Sequence, residues 1–175
     1  MVTPSAERRP PCIVVIGVAG TGKTTMARLL ARRLDLPFAE GDDFHSAADI
    51  AKMSAGTPLD DADRQPWLES IGRWLHEHEA EGTGAVVACS ALRRRYRDTL
   101  RAACPSAFFL HLTADRAVLA ERLLRRTGHF MPRSLLASQL ATLEPLEPDE
   151  RGAVLDATPP PETTADMAAD LLRQL

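Results

Sequence analysis

Cys12-Ile13-Val14-Val15-Ile16-Gly17-Val18-Ala19-Gly20-Thr21-Gly22-Lys23-Thr24-Thr25 is the stretch that decides the fold. Ile13 to Ile16 are aliphatic throughout, a run short enough for a strand and too apolar for an exposed edge. Gly17 to Thr24 then match the phosphate-loop pattern G-x-x-x-x-G-K-[ST] in full. The glycines let the backbone turn its N–H groups towards phosphate oxygens. The following helix aims its positive end at the same anion. Lys23 brings a mobile charge for the β and γ phosphates, and the Thr24 hydroxyl is placed to ligate Mg²⁺. Behind the loop, Met26, Leu29, Leu30 and Leu34 recur at helical spacing. Strand, loop and amphipathic helix stand in the order the motif requires, which predicts a nucleoside triphosphate site.

The rest of the composition narrows the setting. A chain of 175 residues suits one domain with a substantial core, expected here over residues 12–175. Its net charge of −3 gives no electrostatic case for nucleic acid as a bulk partner. Cys12, Cys89 and Cys104 are scattered without a C-x-x-C, which fits a reducing cytoplasm better than secretion. No run approaches the roughly 20 apolar residues of a membrane span. Residues 1–11, with Arg8-Arg9 and three prolines but no apolar core, read as a disordered lead-in and not as a signal peptide.

Outward from the loop, Phe38-Ala39-Glu40 reads as a second strand closing at Gly41, followed at once by Asp42, Asp43 and His45. Ligands in open α/β sheets sit beyond the carboxyl ends of strands, where this polar cluster falls. Phosphoryl transfer to a hydroxyl wants one carboxylate near the metal and another near the acceptor oxygen. If the extended path continues, Glu40 and Asp42 share a side, with Glu40 nearer the metal, Asp42 nearer the acceptor and Asp43 opposed. Residues 46–81 read as helix interrupted at Gly56-Thr57-Pro58, restarting with an Asp cap and Pro66 in the first turn. Trp67 and Trp74 belong to its core face, and Arg64 beside them pairs with Asp60 or Asp61 or clamps a substrate carboxylate.

A third strand, Ala85 to Cys89, ends in Ser90, where many phosphate-loop enzymes carry an aspartate for the metal's water, so the acidic partner is sought in Glu40 or Asp42. Five arginines lie between positions 93 and 101, of which one or two contact an anionic acceptor. A fourth strand spans Phe108 to Leu112. The next helix ends in Arg122, Arg125 and Arg126 and breaks at Thr127-Gly128-His129-Phe130-Met131-Pro132 before a returning helix. That outline is a lid over about 126–133 whose arginines reach back over the transferring phosphoryl group. Gly152 to Asp156 form a fifth strand and residues 162–175 a last helix. Strands alternating with helices predict a doubly wound parallel sheet. A GTP switch is excluded, because its N-K-x-D base-reading motif needs an asparagine and the chain has none.

Several stretches together resemble the gluconokinase family of small carbohydrate kinases. They are Gly41-Asp42-Asp43-Phe44-His45, Lys52-Met53 with Gly56 and Pro58-Leu59, and Asp61 to Leu68. Further on stand Cys89-Ser90-Ala91-Leu92 with Tyr96-Arg97-Asp98, Gly128 to Pro132, Ser138-Gln139 and Thr142-Leu143-Glu144-Pro145. The resemblance runs unbroken over about residues 12–160. It implies a three-layer αβα P-loop kinase fold of the nucleoside-monophosphate-kinase type, with a five-stranded parallel sheet and a helical lid. It also implies transfer of the γ-phosphoryl of ATP to the 6-hydroxyl of D-gluconate with Mg²⁺, in a homodimer. The resemblance implies that Gly17 to Thr25 hold ATP and Mg²⁺. The residues expected at the nucleotide are Gly17, Ala19, Gly20, Thr21, Gly22, Lys23, Thr24, Thr25 and Arg122, and the loop motif and strand geometry assign Thr24 and Glu40 to the metal. Lys23, Asp42 and Arg126 are catalytic, while Asp42, His45, Arg64, Arg97 and His129 face the sugar acid. The chain departs from the family in Ser46, commonly proline, Asp49, commonly asparagine, and Leu140, commonly phenylalanine. A kinase of another small acceptor, shikimate or a nucleoside monophosphate, shares the architecture.

Overall fold

The computed structural model describes residues 8–125 and 133–175. Its strands are β1 (Cys12–Ile16), β2 (Phe38–Glu40), β3 (Ala85–Ala88), β4 (Phe108–Thr113) and β5 (Gly152–Asp156). All pair in parallel, in the order β2-β3-β1-β4-β5. β1 is central and every one of its residues is buried. A strand covered on both faces needs apolar side chains at successive positions, hence the unbroken aliphatic run. Cys12, Val14 and Ile16 enter one core and Ile13 and Val15 the other.

Helices close both faces. On one, Met26, Ala27 and Leu30 of α1 (Lys23–Leu34) and Ala165, Ala168 and Leu172 of α7 (Pro161–Arg173) pack on Ile13, Val15, Leu110 and Leu112. On the other, Trp67, Leu68, Ile71 and Leu75 of α3 (Asp61–Glu81) and Tyr96 and Leu100 of α4 (Arg94–Ala103) cover Val14, Val87 and Phe109. Each large apolar side chain taken out of water in this way contributes about 1.5–3 kcal/mol. The result is the expected three-layer αβα P-loop kinase fold.

A third, smaller core lies at the carboxyl end of the sheet. Val18, Ala19 and Leu92 there meet Leu119 and Leu123 of α5 (Arg116–Arg125) and Leu136 of α6 (Arg133–Thr142). The two helices flanking the expected lid therefore stand directly on the loop after β1. The lid itself, including Arg126 and His129, lies outside the described residues.

Local chemistry sets the remaining boundaries. Ser46 caps α2 (Ala47–Ser54), its hydroxyl accepting the Asp49 N–H at 3.1 Å. This is a task for which the proline common in the family has no side-chain acceptor. Asp60 and Asp63 form a reciprocal capping box at the start of α3. Because α3 begins at Asp61, Pro66 falls in its second turn and not the first, as the sequence suggested, so its missing N–H faces the Ala62 carbonyl. Residues 8–11 have no regular structure, yet the Pro11 carbonyl accepts the Ala85 N–H at 3.1 Å, continuing the pairing beside β1. Among the described residues no helix is long and apolar enough to cross a membrane.

Candidate active site

The loop between β1 and α1 is held by its own polar groups. The Thr21 hydroxyl donates to the Val18 carbonyl at 2.9 Å, and the Lys23 ammonium donates to the same oxygen at 3.2 Å. Gly22 caps α1 in the left-handed region, with φ 85°, where a side chain would strain the turn. No acidic residue of α1 itself occupies its first turn.

The second strand delivers a carboxylate to this loop. Glu40, the last residue of β2, accepts a hydrogen bond from the Thr24 hydroxyl through Oε2. Thr24 and Glu40, both assigned to the metal from the sequence, are thus in direct contact, and together they offer a hydroxyl and a carboxylate oxygen. Hard oxygen donors in that small number fit Mg²⁺, which keeps waters and phosphate oxygens as its other ligands. The described residues hold no cluster of three or more His, Cys, Asp or Glu side chains that could cage an ion unaided.

Past Glu40 the extended path ends. Gly41–Phe44 form a 3₁₀ turn, so the alternation that set Asp42 against Asp43 does not apply, and both residues are exposed. Gly41 is required by close approach, since a Cβ there would meet the Ala88 carbonyl oxygen at 2.4 Å. That approach presses the turn onto the end of β3. Burial pushes the Cys89 thiol up to about 12, and the charges of Asp42 and Glu40 add to this while that of Lys23 opposes it.

His45 closes the turn. Its ring stacks on Trp67 at 4.4 Å between centroids and 12° between planes. The Trp67 indole in turn donates to the Gly41 carbonyl at 2.7 Å. Trp67, read from sequence as a core residue, is both core and floor of the site. His45 Nε2 lies 4.0 Å from Asp42 and Nδ1 lies 3.8 Å from Asp49. The Asp49 charge, one of the departures from the family, is thus directed at the histidine.

Arg64 stands at the same end of α3. It donates to the Tyr96 hydroxyl at 3.0 Å and lies over the Tyr96 ring. The Tyr96 hydroxyl donates to Asp61 at 2.5 Å, and that hydrogen bond is the chief reason the Asp61 carboxyl is held below its ordinary range. Partial desolvation opposes it, and the charges of Arg95, Arg93 and Arg64 add to it.

The arginine run distributes its charges unevenly. Arg94 pairs with Asp98, Glu147 and Asp149; Arg95 pairs with Asp61; Arg101 pairs with Asp98 and Glu150. Arg97, expected on the acceptor side, is fully buried and its donors are all taken by protein groups. It donates to both carboxylate oxygens of Glu150, at 2.7 and 2.9 Å, and to the carbonyls of Ala91, Leu92, Glu144 and Pro145. A planar fork with five donors suits this work, and it leaves none for a substrate. Arg97 is a strut joining the segment after β3 to the segment before β5.

On the other side of the loop a cavity of about 200 Å³ is lined by Gly20, Thr21, Gly22, Thr25, Arg122 and Ala157. Arg122 is fixed there by donating to the Ala157 carbonyl at 2.6 Å. A further contact has no counterpart among the sequence assignments. The Ala19 N–H donates to Gln139 Oε1 at 2.6 Å, across 120 positions of chain. Ser138-Gln139 was visible as a motif, but nothing in its own neighbourhood pointed to the phosphate loop.

This arrangement, a phosphate loop on a parallel sheet with a carboxylate on the loop threonine and a second cluster beyond the next strand, defines a P-loop small-molecule kinase. An AAA domain family model matches residues 13–131. A gluconokinase of Gluconobacter oxydans (strain 621H) is 54% identical over 142 residues, 81% of this chain and 80% of that protein. A sugar kinase structure from Janibacter sp. HTCC2649 is 50% identical with a TM-score of 0.87, covering 94% of this chain and 95% of that one. A gluconokinase structure from Sinorhizobium meliloti 1021 is 43% identical with a TM-score of 0.86, covering 96% and 94%. The chain belongs to the gluconokinase family.

Proposed function

We propose that this protein transfers the γ-phosphoryl group of ATP to the 6-hydroxyl of D-gluconate, giving 6-phospho-D-gluconate and ADP. The observation that carries the reading is the Glu40 carboxylate on the Thr24 hydroxyl of the phosphate loop, at the head of the turn that carries Asp42. The acceptor's identity is supported by family relatives that carry the gluconokinase name.

The loop N–H groups, Lys23 and the positive end of α1 bind and orient the phosphates. The cavity beside Arg122 receives the nucleoside portion of ATP. Thr24 and Glu40 would hold Mg²⁺, which would supply charge neutralisation for the phosphates of ATP. Asp42 orients the 6-hydroxyl and takes its proton late, as the O6–P bond forms and the bond from the γ phosphorus to the β,γ-bridging oxygen breaks. His45 and Arg64 position the sugar acid. Arg126 covers the transferring group when the lid closes, and His129 reaches the acceptor from the same segment. The enzyme works in the cytoplasm as a homodimer.

The test is an ATP-consumption assay across D-gluconate, other sugar acids, shikimate and nucleoside monophosphates. Gluconate is expected to give the highest kcat/KM, with ADP formed in step with 6-phosphogluconate. Absence of gluconate-dependent ADP, or a clear preference for shikimate or a nucleotide, overturns the reading.

A further inference from the structure

Of the arginine run at the start of α4, Arg93 alone has been left without a role. It is the N-cap residue of α4, half-buried, and its Nε is fully enclosed with no hydrogen-bond partner. Arg94, Arg95, Arg97 and Arg101 each hold at least one carboxylate within 4 Å, whereas Arg93 forms no such pair among the described residues. Two other arginines, Arg33 and Arg101, also enclose an unpartnered nitrogen, but each is already in an ion pair through its remaining atoms.

An arginine that is partly desolvated and unpaired is costly unless an anion arrives to meet it. Its position says where that anion would come from. Arg93 follows Leu92, which packs on Val18 and Ala19 of the phosphate loop. It precedes the turn of α4 that carries Tyr96, the partner of Arg64. The Arg93 carbonyl accepts the Tyr96 N–H at 3.0 Å, and the Tyr96 hydroxyl links Arg64 to Asp61, so both arginines are tied to Tyr96 at the start of α4. That start lies at the carboxyl end of β3, on the acceptor side of the loop. The γ phosphate already has Lys23 and the positive end of α1, so the anion still lacking a partner is the one on the acceptor.

We propose that Arg93, with Arg64, binds the carboxylate of the acceptor and makes the site selective for a sugar acid over the corresponding neutral polyol. This rests on the reading of the protein as a kinase of D-gluconate. A planar guanidinium can meet both carboxylate oxygens, and doing so satisfies the enclosed Nε.

The experiment compares D-gluconate with D-glucitol, which has the same carbon chain and terminal hydroxyl but no carboxylate, at saturating ATP. The proteins are wild type, Arg93→Gln and Arg93→Lys. Calorimetric titration gives the gluconate Kd directly. Arg93→Gln is expected to weaken gluconate about 100-fold, or about 2.7 kcal/mol at about 1.4 kcal/mol per tenfold. KM for ATP should stay within about twofold, and the wild-type preference for gluconate over glucitol should shrink by the same factor. Arg93→Lys, keeping the charge without the fork, should lie between the two. If the gluconate Kd is unchanged in Arg93→Gln, or if both acceptors lose equally, the inference is wrong. A wild type with no preference for gluconate over glucitol instead sinks the functional reading beneath it.

Discussion

Replacing Glu150 by glutamine keeps the shape of the side chain while removing the charge that Arg97 faces. The wild-type carboxyl is opposed by burial, which acts to raise its pKa. Hydrogen bonds from Arg97, the Glu147 N–H and Arg101 outweigh that and hold it at about 2, against an ordinary value of 4.5. At about 1.4 kcal/mol per pKa unit this depression is worth about 3 kcal/mol of stability at neutral pH. Removing one partner of a buried ion pair costs about 3–5 kcal/mol by mutation, so two independent routes agree. For a domain of this size 3 kcal/mol corresponds to a fall in Tm of roughly 6–12 °C. The pH dependence has a definite sign. A carboxyl with a depressed folded pKa contributes its full stability above the unfolded value of 4.5. That contribution is lost as pH falls towards about 2, with about half remaining at pH 3. The assay is thermal unfolding of wild type and Glu150→Gln at pH 7, 5 and 3. The gap in Tm should be nearly the same at pH 7 and 5 and clearly smaller at pH 3. A gap below about 2 °C at pH 7, or one that does not change with pH, would refute the assignment of Arg97 as a buried strut.

Lys23→Ala is expected to cost roughly 3 kcal/mol or more of barrier, over 100-fold in kcat/KM. Its Tm should remain within a few degrees of wild type, and a near-normal rate would remove the loop lysine from the chemistry. Asp42→Asn should lower kcat about 100-fold or more while gluconate binding largely survives, and Asp43→Asn should be mild. The reverse pattern in steady-state kinetics would move the acceptor carboxylate to Asp43. Gln139→Leu removes the acceptor for the Ala19 N–H, a hydrogen bond worth about 1 kcal/mol net. KM for ATP should then rise about fivefold with KM for gluconate unchanged, and equal effects on both substrates would make Gln139 a general packing residue.

The parts of the site that were legible in the sequence are those whose meaning is local. Gly17 to Thr24 fix a turn, a helix start and an anion site within one contiguous stretch, and the aliphatic run before them can only be a doubly covered strand. Glu40 was legible because a strand end in a parallel sheet has a known direction, which brought it to Thr24. Arg97 was not, because a sequence displays its donors but not the acceptors. Its partner Glu150 lies 53 positions away, in a segment with no motif of its own. Arg93 and Arg97 look alike as letters in a basic run, and only burial separates a strut from a free cation. The sidedness of Asp42 and Asp43 failed for a different reason, since the 3₁₀ turn begins where the alternation was expected to continue. Gln139 needed the fold, which brings α6 back onto a loop 120 residues earlier.

The small core shared by Val18, Ala19, Leu92, Leu119, Leu123 and Leu136 bears on how the protein ages under heat. Among the described residues it is less extensive than the two cores on the sheet faces, and two of its walls belong to α5 and α6. Regions with few buried contacts open before the global transition. On warming, the grip of α5 and α6 on the phosphate loop loosens while the sheet and its covering helices are still intact. Catalytic half-life and far-ultraviolet circular dichroism therefore report different events, with activity fading first. Selection for heat tolerance in this chain should accordingly reward larger or better-fitted side chains at those six positions before it touches β1.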